Sequence, residues 1–153
     1  GKVAENGILG VYVHSNHKFT VVVEVACETD FAAKSEDMMK FANDLALHIA
    51  AVNPKYINVE SIDEKVLSDE KALAQEGMEN KPEEIKKNII EGRLQKFYKE
   101  NVLTNQNFFG DESKTVEDLL NEMVAKIGEK IEITYFYKFN VGEEVLFSLA
   151  KSE

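Results

Sequence analysis

The spacing of apolar residues changes period twice along the chain, and each change marks a change of element. Val11 to Val13 and Phe19 to Glu28 are dense in β-branched and aromatic types. The polar stretch His14-Ser15-Asn16-His17-Lys18 separates them, which reads as a β-hairpin with Asn16 best suited to a left-handed turn position. After Phe31 the period becomes helical. Met38, Phe41, Ala42, Leu45, Ile49 and Val52 share one face, and Pro54 stops the pattern. Ile62 to Gln75 predicts a second, weaker helix ending near Gly77. Pro82-Glu83-Glu84 opens a third, with Ile85, Ile89, Ile90, Leu94, Phe97 and Tyr98 as its apolar members. Asn105 to Ser113 reads as a polar loop carrying Phe108 and Phe109. Thr115 caps a fourth helix, whose face is Leu119, Leu120, Met123, Val124 and Ile127 and whose end is Gly128. Ile131, Ile133, Tyr135, Tyr137 and Phe139 then alternate as in a strand, and the tail from Val145 to Glu153 reads as a short helix or a frayed end.

Strands, then helices, then a strand imply an α+β fold, with a small antiparallel sheet of about three strands packed against a layer of helices. The expected domain is a single unit over residues 1–153, with a hairpin at 8–28, a helical region at 32–127 and a closing strand at 131–140. At 153 residues the chain is long enough to fold without disulfide or metal staples.

Charge narrows the function classes. With 28 acidic against 18 basic side chains, the net charge of −10 opposes direct binding to nucleic acid. No apolar run reaches the length of a membrane span. Cys27 is the single cysteine, so neither an internal disulfide nor a paired-cysteine metal motif is available. No glycine-rich phosphate loop occurs, because Gly77 leads into Met-Glu-Asn-Lys-Pro rather than a Lys-Ser/Thr pair. No cofactor is expected. His14, His17 and Cys27 lie on or beside the hairpin, where convergence would make a thiolate site or part of a zinc site. The plainer reading is a small apolar cysteine and two solvated turn histidines. His48 sits beside the apolar helix face and reads as a boundary residue. The acids fall in surface runs such as Glu83-Glu84 and Glu117-Asp118.

One segment stands apart. Cys27-Glu28-Thr29-Asp30-Phe31-Ala32 lies where a strand becomes a helix, a junction that projects side chains from a rigid base. Thr29 or Asp30 can cap the helix, with Phe31 either tucked inward as a staple or left outside. Here Gly7-Ile-Leu-Gly-Val-Tyr-Val-His14 followed by Val21-Val-Val-Glu-Val-Ala-Cys-Glu-Thr-Asp-Phe31 resembles the elongation factor Ts family. The likeness continues through Leu45-Ala-Leu-His-Ile-Ala-Ala51, Pro54-Lys-Tyr56, Ile90-Glu-Gly-Arg-Leu-Gln-Lys-Phe-Tyr98, Gly128-Glu129 and Phe139-Asn-Val-Gly-Glu143. The resemblance implies a guanine-nucleotide exchange factor rather than an enzyme. Its partner would be elongation factor Tu, whose magnesium ion it would displace so that GDP leaves. Thr29, Asp30, Phe31 and Ala32 match the motif that does this, and His14 matches a secondary contact.

The chain departs from the family pattern in three places. The turn after His14 lacks the usual glycine, Ala26 and Ala32 replace bulkier or more polar residues, and no counterpart of the helical N-terminal module is found. That module is a second grip on elongation factor Tu, so weaker binding is expected. The core module occurs once, as in members that pair as homodimers, and the strand from Ile131 to Phe139 offers apolar faces and an edge for a partner. The expected compartment is the bacterial cytoplasm, or the matrix of a plastid or mitochondrion. Two alternatives stay open: a module that binds elongation factor Tu without opening it, and a cysteine-dependent enzyme built on Cys27.

Overall fold

The computed structural model describes residues 5–151. In chain order the elements are β1 (Asn6–Val13), β2 (Phe19–Cys27), α1 (Asp30–Ala33), α2 (Glu36–Val52), α3 (Glu64–Gln75), α4 (Glu83–Asn101), β3 (Asn107–Phe108), β4 (Asp111–Thr115), α5 (Val116–Ile127), β5 (Ile131–Asn140) and β6 (Leu146–Leu149). The fold is α+β. A four-stranded antiparallel sheet in the order β1-β2-β5-β6 lies on the helices, and β3 and β4 form a separate two-stranded hairpin.

One face of the sheet is the floor of the core. Val21, Val23 and Val25 of β2 and Phe136 of β5 are buried there with Met38, Leu45 and Ile49 of α2. Removing these side chains from water is the main drive for docking α2, at about 1.5–3 kcal/mol for each large apolar residue. Ser35 starts α2 by accepting the Met38 N–H at 3.2 Å, and Asn53 ends it in the left-handed conformation. β1 passes so close to α2 that a Cβ at Gly10 would sit 2.0 Å from the Ala42 carbonyl oxygen. Only glycine fits that crossing.

Buried polar groups fasten the rest. Lys138, 4% exposed, donates from Nζ to Asn53 Oδ1 and to the Pro54 carbonyl, closing the C-terminal end of α2. Its ammonium also lies 5.2 Å from the centre of the Phe136 ring. Burial, with Lys55 nearby, lowers the Lys138 pKa to about 8. His48 is fully buried on α2, not at the boundary that its sequence position suggests. Its Nδ1 accepts the Phe109 N–H at 3.2 Å, so Nε2 carries the proton and donates to Gln106 Oε1 at 2.9 Å. Both nitrogens are thus used by a neutral ring, stacked on Phe108 with centroids 5.8 Å apart. That bond network fastens the β3–β4 hairpin, within Asn107 to Thr115, where a polar loop over Asn105 to Ser113 was expected.

The sheet differs from expectation in three ways. It has four strands rather than about three, because the tail pairs as β6 against β5 from Tyr135↔Leu149 to Lys138↔Leu146 instead of forming a helix. The last two residues of that tail lie outside the described residues. The five alternating apolar residues of β5 do not share a face. The β2–β5 register shifts at Glu24/Val25, and Thr134 is the extra residue. Ile131 and Ile133 therefore point with Phe136 into the core, while Tyr135, Tyr137 and Phe139 face outward. Thr134 Oγ1 donates to Glu24 Oε1 at 2.7 Å and stabilises the bulge. Finally, β5 is an interior strand, so its edge is not open to a partner. In the turn after β1, His17 rather than Asn16 takes the left-handed conformation, and Asn16 Oδ1 accepts the Lys18 N–H at 2.9 Å. α3 and α4 form an arm joined by an ion pair from Arg93 Nε to Glu70 Oε2 at 3.0 Å.

Two outcomes test this packing. Gly10→Ala drives β1 off α2 and lowers the unfolding free energy by at least about 2 kcal/mol in urea titration. Lys138 binds its proton less tightly folded than unfolded, so stability rises with pH from about 8 towards the ordinary lysine value of 10.5. The gain is up to about 3 kcal/mol, and Lys138→Met lacks it in chemical denaturation across that range.

Candidate functional site

The site is built where β2 runs out of partners. Cys27 makes the last rung, paired with Asn6 on one side and Ile131 on the other. The next two backbone N–H groups lie beyond the ladder and need acceptors. A single carboxylate supplies them. Glu129 Oε1 accepts the N–H groups of Glu28 and Thr29, each at 2.9 Å, and Oε2 accepts the Thr29 hydroxyl at 2.9 Å. Gly128, left-handed at φ 81°, ends α5 and turns the chain so that Glu129 reaches this spot.

The same threonine starts α1. Thr29 Oγ1 accepts the Ala32 N–H at 3.1 Å, so its hydroxyl proton goes to Glu129 and its lone pair to the helix. Asn6 Nδ2 donates to the Glu28 carbonyl at 2.9 Å, and the Cys27 thiol donates to the Thr29 carbonyl at 3.3 Å. Ala32 and Ala33 are buried and pin the inner side of the turn to the core. Phe31, on the outer side, is 89% exposed. The staple reading is therefore excluded. Asp30 pairs with Lys34 at 2.8 Å, an exposed contact of little energetic weight.

Of the residues expected to act together, Thr29, Asp30 and Phe31 stand outward, whereas Ala32 faces the core and serves as an anchor. His14 is elsewhere. It follows the far end of β1, whose near end pairs beside Cys27, so about 26 Å of strand separate it from the end that leads to Phe31. There it accepts or shares a hydrogen bond with the Tyr12 hydroxyl at 2.8 Å. His14 and His17 therefore do not converge with Cys27. The thiol is buried, and burial together with the Glu129 carboxylate pushes its pKa up. A raised, inaccessible thiol removes the cysteine-enzyme alternative. Among the described residues no group of three or more His, Cys, Asp or Glu is placed to hold a metal, and no helix is long and apolar enough to cross a membrane.

Glu129 is the site residue that the sequence left unassigned. The backbone N–H of Thr29 holds its carboxyl below the usual range, helped by the Thr29 hydroxyl and the Glu28 N–H. Its linear signals are its position, directly after a helix-ending glycine, and its place in the Gly128-Glu129 stretch of the family likeness.

Comparison with known proteins finds likeness along nearly the whole chain. The family described as Elongation factor TS matches residues 2–143. The elongation factor Ts of Moorella thermoacetica is 45% identical over 150 residues, covering 97% of this chain and 74% of that protein. That of Caldanaerobacter subterraneus subsp. tengcongensis is 46% identical over 147 residues, covering 95% and 74%. That of Geotalea uraniireducens is 46% identical over 155 residues, covering 100% and 70%. On a match of this identity over nearly the whole chain and about three quarters of the first of these relatives, the chain belongs to the elongation factor Ts family.

Proposed function

We propose that this elongation factor acts in translation as a guanine-nucleotide exchange factor for elongation factor Tu. The Asp30-Phe31 pair enters the nucleotide-binding domain of that GTPase and shifts the ligands of its magnesium ion. The observation that carries this reading is Phe31, 89% exposed on a turn held by hydrogen bonds on every side. Seating the ring in a partner supplies roughly 1.5–3 kcal/mol, a 10- to 100-fold shift in an equilibrium. Magnesium neutralises phosphate oxygens, so disturbing its coordination loosens the nucleotide steeply. Coupling is reciprocal: whatever factor the chain takes from nucleotide affinity, nucleotide takes from the affinity of the chain. No bond is made or broken. His14, at the other end of the strands, enters only as a separate contact on a large partner. The compartment would be one that holds ribosomes, either a bacterial cytoplasm or an organelle matrix.

A second copy of the chain is the proposed occupant of the outer sheet face. There Leu9, Val11 and Val13 of β1 share a face with Val22 of β2, with Tyr135, Tyr137 and Phe139, and with Phe147 and Leu149, and Thr20 and Glu24 are the polar positions of β2 on it. The Tyr137 and Phe147 rings stack at 4.5 Å, and β1 and β6 leave their apolar side chains exposed. Contiguous apolar faces of this kind mark interfaces. A twofold pair would bury the same surface on both copies. The face, rather than the β5 edge, now supports the pairing.

Phe31→Ala leaves thermal stability within about 0.5 kcal/mol, as expected of an exposed side chain. It slows release of fluorescent GDP from elongation factor Tu by about ten-fold or more in stopped flow. Unchanged release would count against the reading, and binding without any acceleration by the unaltered chain would make it a non-exchanging interaction module. For the pair, Tyr137→Asp converts a twofold species to a monomer in sedimentation equilibrium. An unaltered chain already monomeric at its highest soluble concentration would refute the pairing.

A further inference from the structure

We infer that Glu129 is a positioning residue for the exposed Asp30-Phe31 pair, acting through Thr29. The inference rests on the exchange reading for its kinetic readout and on geometry for its argument.

A surface carboxylate ordinarily stays in water, since hydration is as good as most partners. Glu129 instead spends both oxygens on two consecutive residues, with three bonds of 2.9 Å each. Two of the donors are backbone N–H groups, so the carboxylate fixes the chain direction as it leaves β2. The third is the Thr29 hydroxyl, and this is the step that transmits orientation. A threonine hydroxyl has one proton. Committed to Glu129 Oε2, it leaves a lone pair facing the Ala32 N–H at 3.1 Å, which is the bond that starts α1. Thus Glu129 sets the hydroxyl, the hydroxyl sets the first turn, and the first turn aims Phe31 outward.

The span of the connection is also informative. Glu129 lies 100 residues after Thr29, so the bond ties the β2–α1 junction to the α5–β5 junction. Glu28, Asp30 and Glu129 all lie around the Cys27 thiol, and the hydrogen-bond geometry accounts for the third carboxylate standing there. The pKa depression of Glu129 agrees, because donors aimed at both oxygens favour the ionised form.

Without the carboxylate the turn samples other conformations, and the partner must select the one that presents Phe31. The apparent affinity then falls by the fraction of time spent there, while the maximal release rate, once the ring is seated, is kept. Phe31→Ala does the reverse, since it removes the group that acts inside the complex.

The test is a titration of fluorescent GDP release against factor concentration, with hydrogen exchange on the free factors. In Glu129→Ala the half-maximal concentration rises about ten-fold, with the maximal rate within about two-fold of the unaltered chain. Glu129→Gln, whose amide oxygen still accepts both N–H groups but whose NH2 cannot accept the Thr29 hydroxyl proton, recovers only part of the affinity. Exchange at the Glu28 and Thr29 amides speeds up in Glu129→Ala while the amides of α2 keep their protection, which separates local release from general unfolding. A Glu129→Ala titration that overlays the unaltered one overturns the inference, as does a Gln variant no better than Ala. If the unaltered chain fails to speed release at all, the exchange reading falls, and the amide exchange alone decides: unchanged protection at Glu28 and Thr29 removes Glu129 from its positioning role.

Discussion

An apolar ring can be kept in water only on a backbone that has no means of folding it away. This constraint organises the chain around Phe31. The turn that carries it is bounded by the last rung of β2, by the Glu129 carboxylate and by Ala32 and Ala33 in the core. Each boundary depends on the sheet lying flat on α2, which in turn depends on the bare crossing of Gly10 over Ala42. A few close contacts in the interior therefore determine what stands at the tip.

The two exposed apolar features differ in kind. Phe31 is a single ring on a short, fixed turn, suited to entering a cleft in another fold. The outer sheet face is broad and gently varied, with ring stacking along β5 and β6, suited to a matching flat surface. Separation of the two allows one chain to hold a copy of itself and still offer its tip. The net charge of −10 opposes binding of either feature to nucleic acid.

Much of this was legible in the sequence, and the misses have physical causes. The helix from Glu36 to Val52 and the fourth helix were plain because their apolar spacing and caps agree. The segment Thr29 to Phe31 was visible as a strand-to-helix junction, and the family likeness selected the outward reading of the ring. β6 was missed because four residues of mixed character carry no period of their own; they become a strand only when β5 offers an edge. The split face of β5 was hidden because a bulge resets the alternation without any signal in composition. His48 was misplaced because a histidine is normally costly to bury, and the compensating Gln106 and Phe109 contacts lie about 60 residues away in sequence. Glu129 was overlooked for the same reason: its partners are 100 residues off.

The central claim is that the Phe31 ring itself enters the nucleotide-binding domain of elongation factor Tu. It is tested most directly by placing a photoreactive benzoylphenylalanine at position 31 and mapping its crosslinks. The account predicts crosslinks within the GTPase domain beside the magnesium site, reduced by excess GDP as reciprocal coupling demands. Crosslinks confined to other domains, or a yield indifferent to GDP, would contradict it.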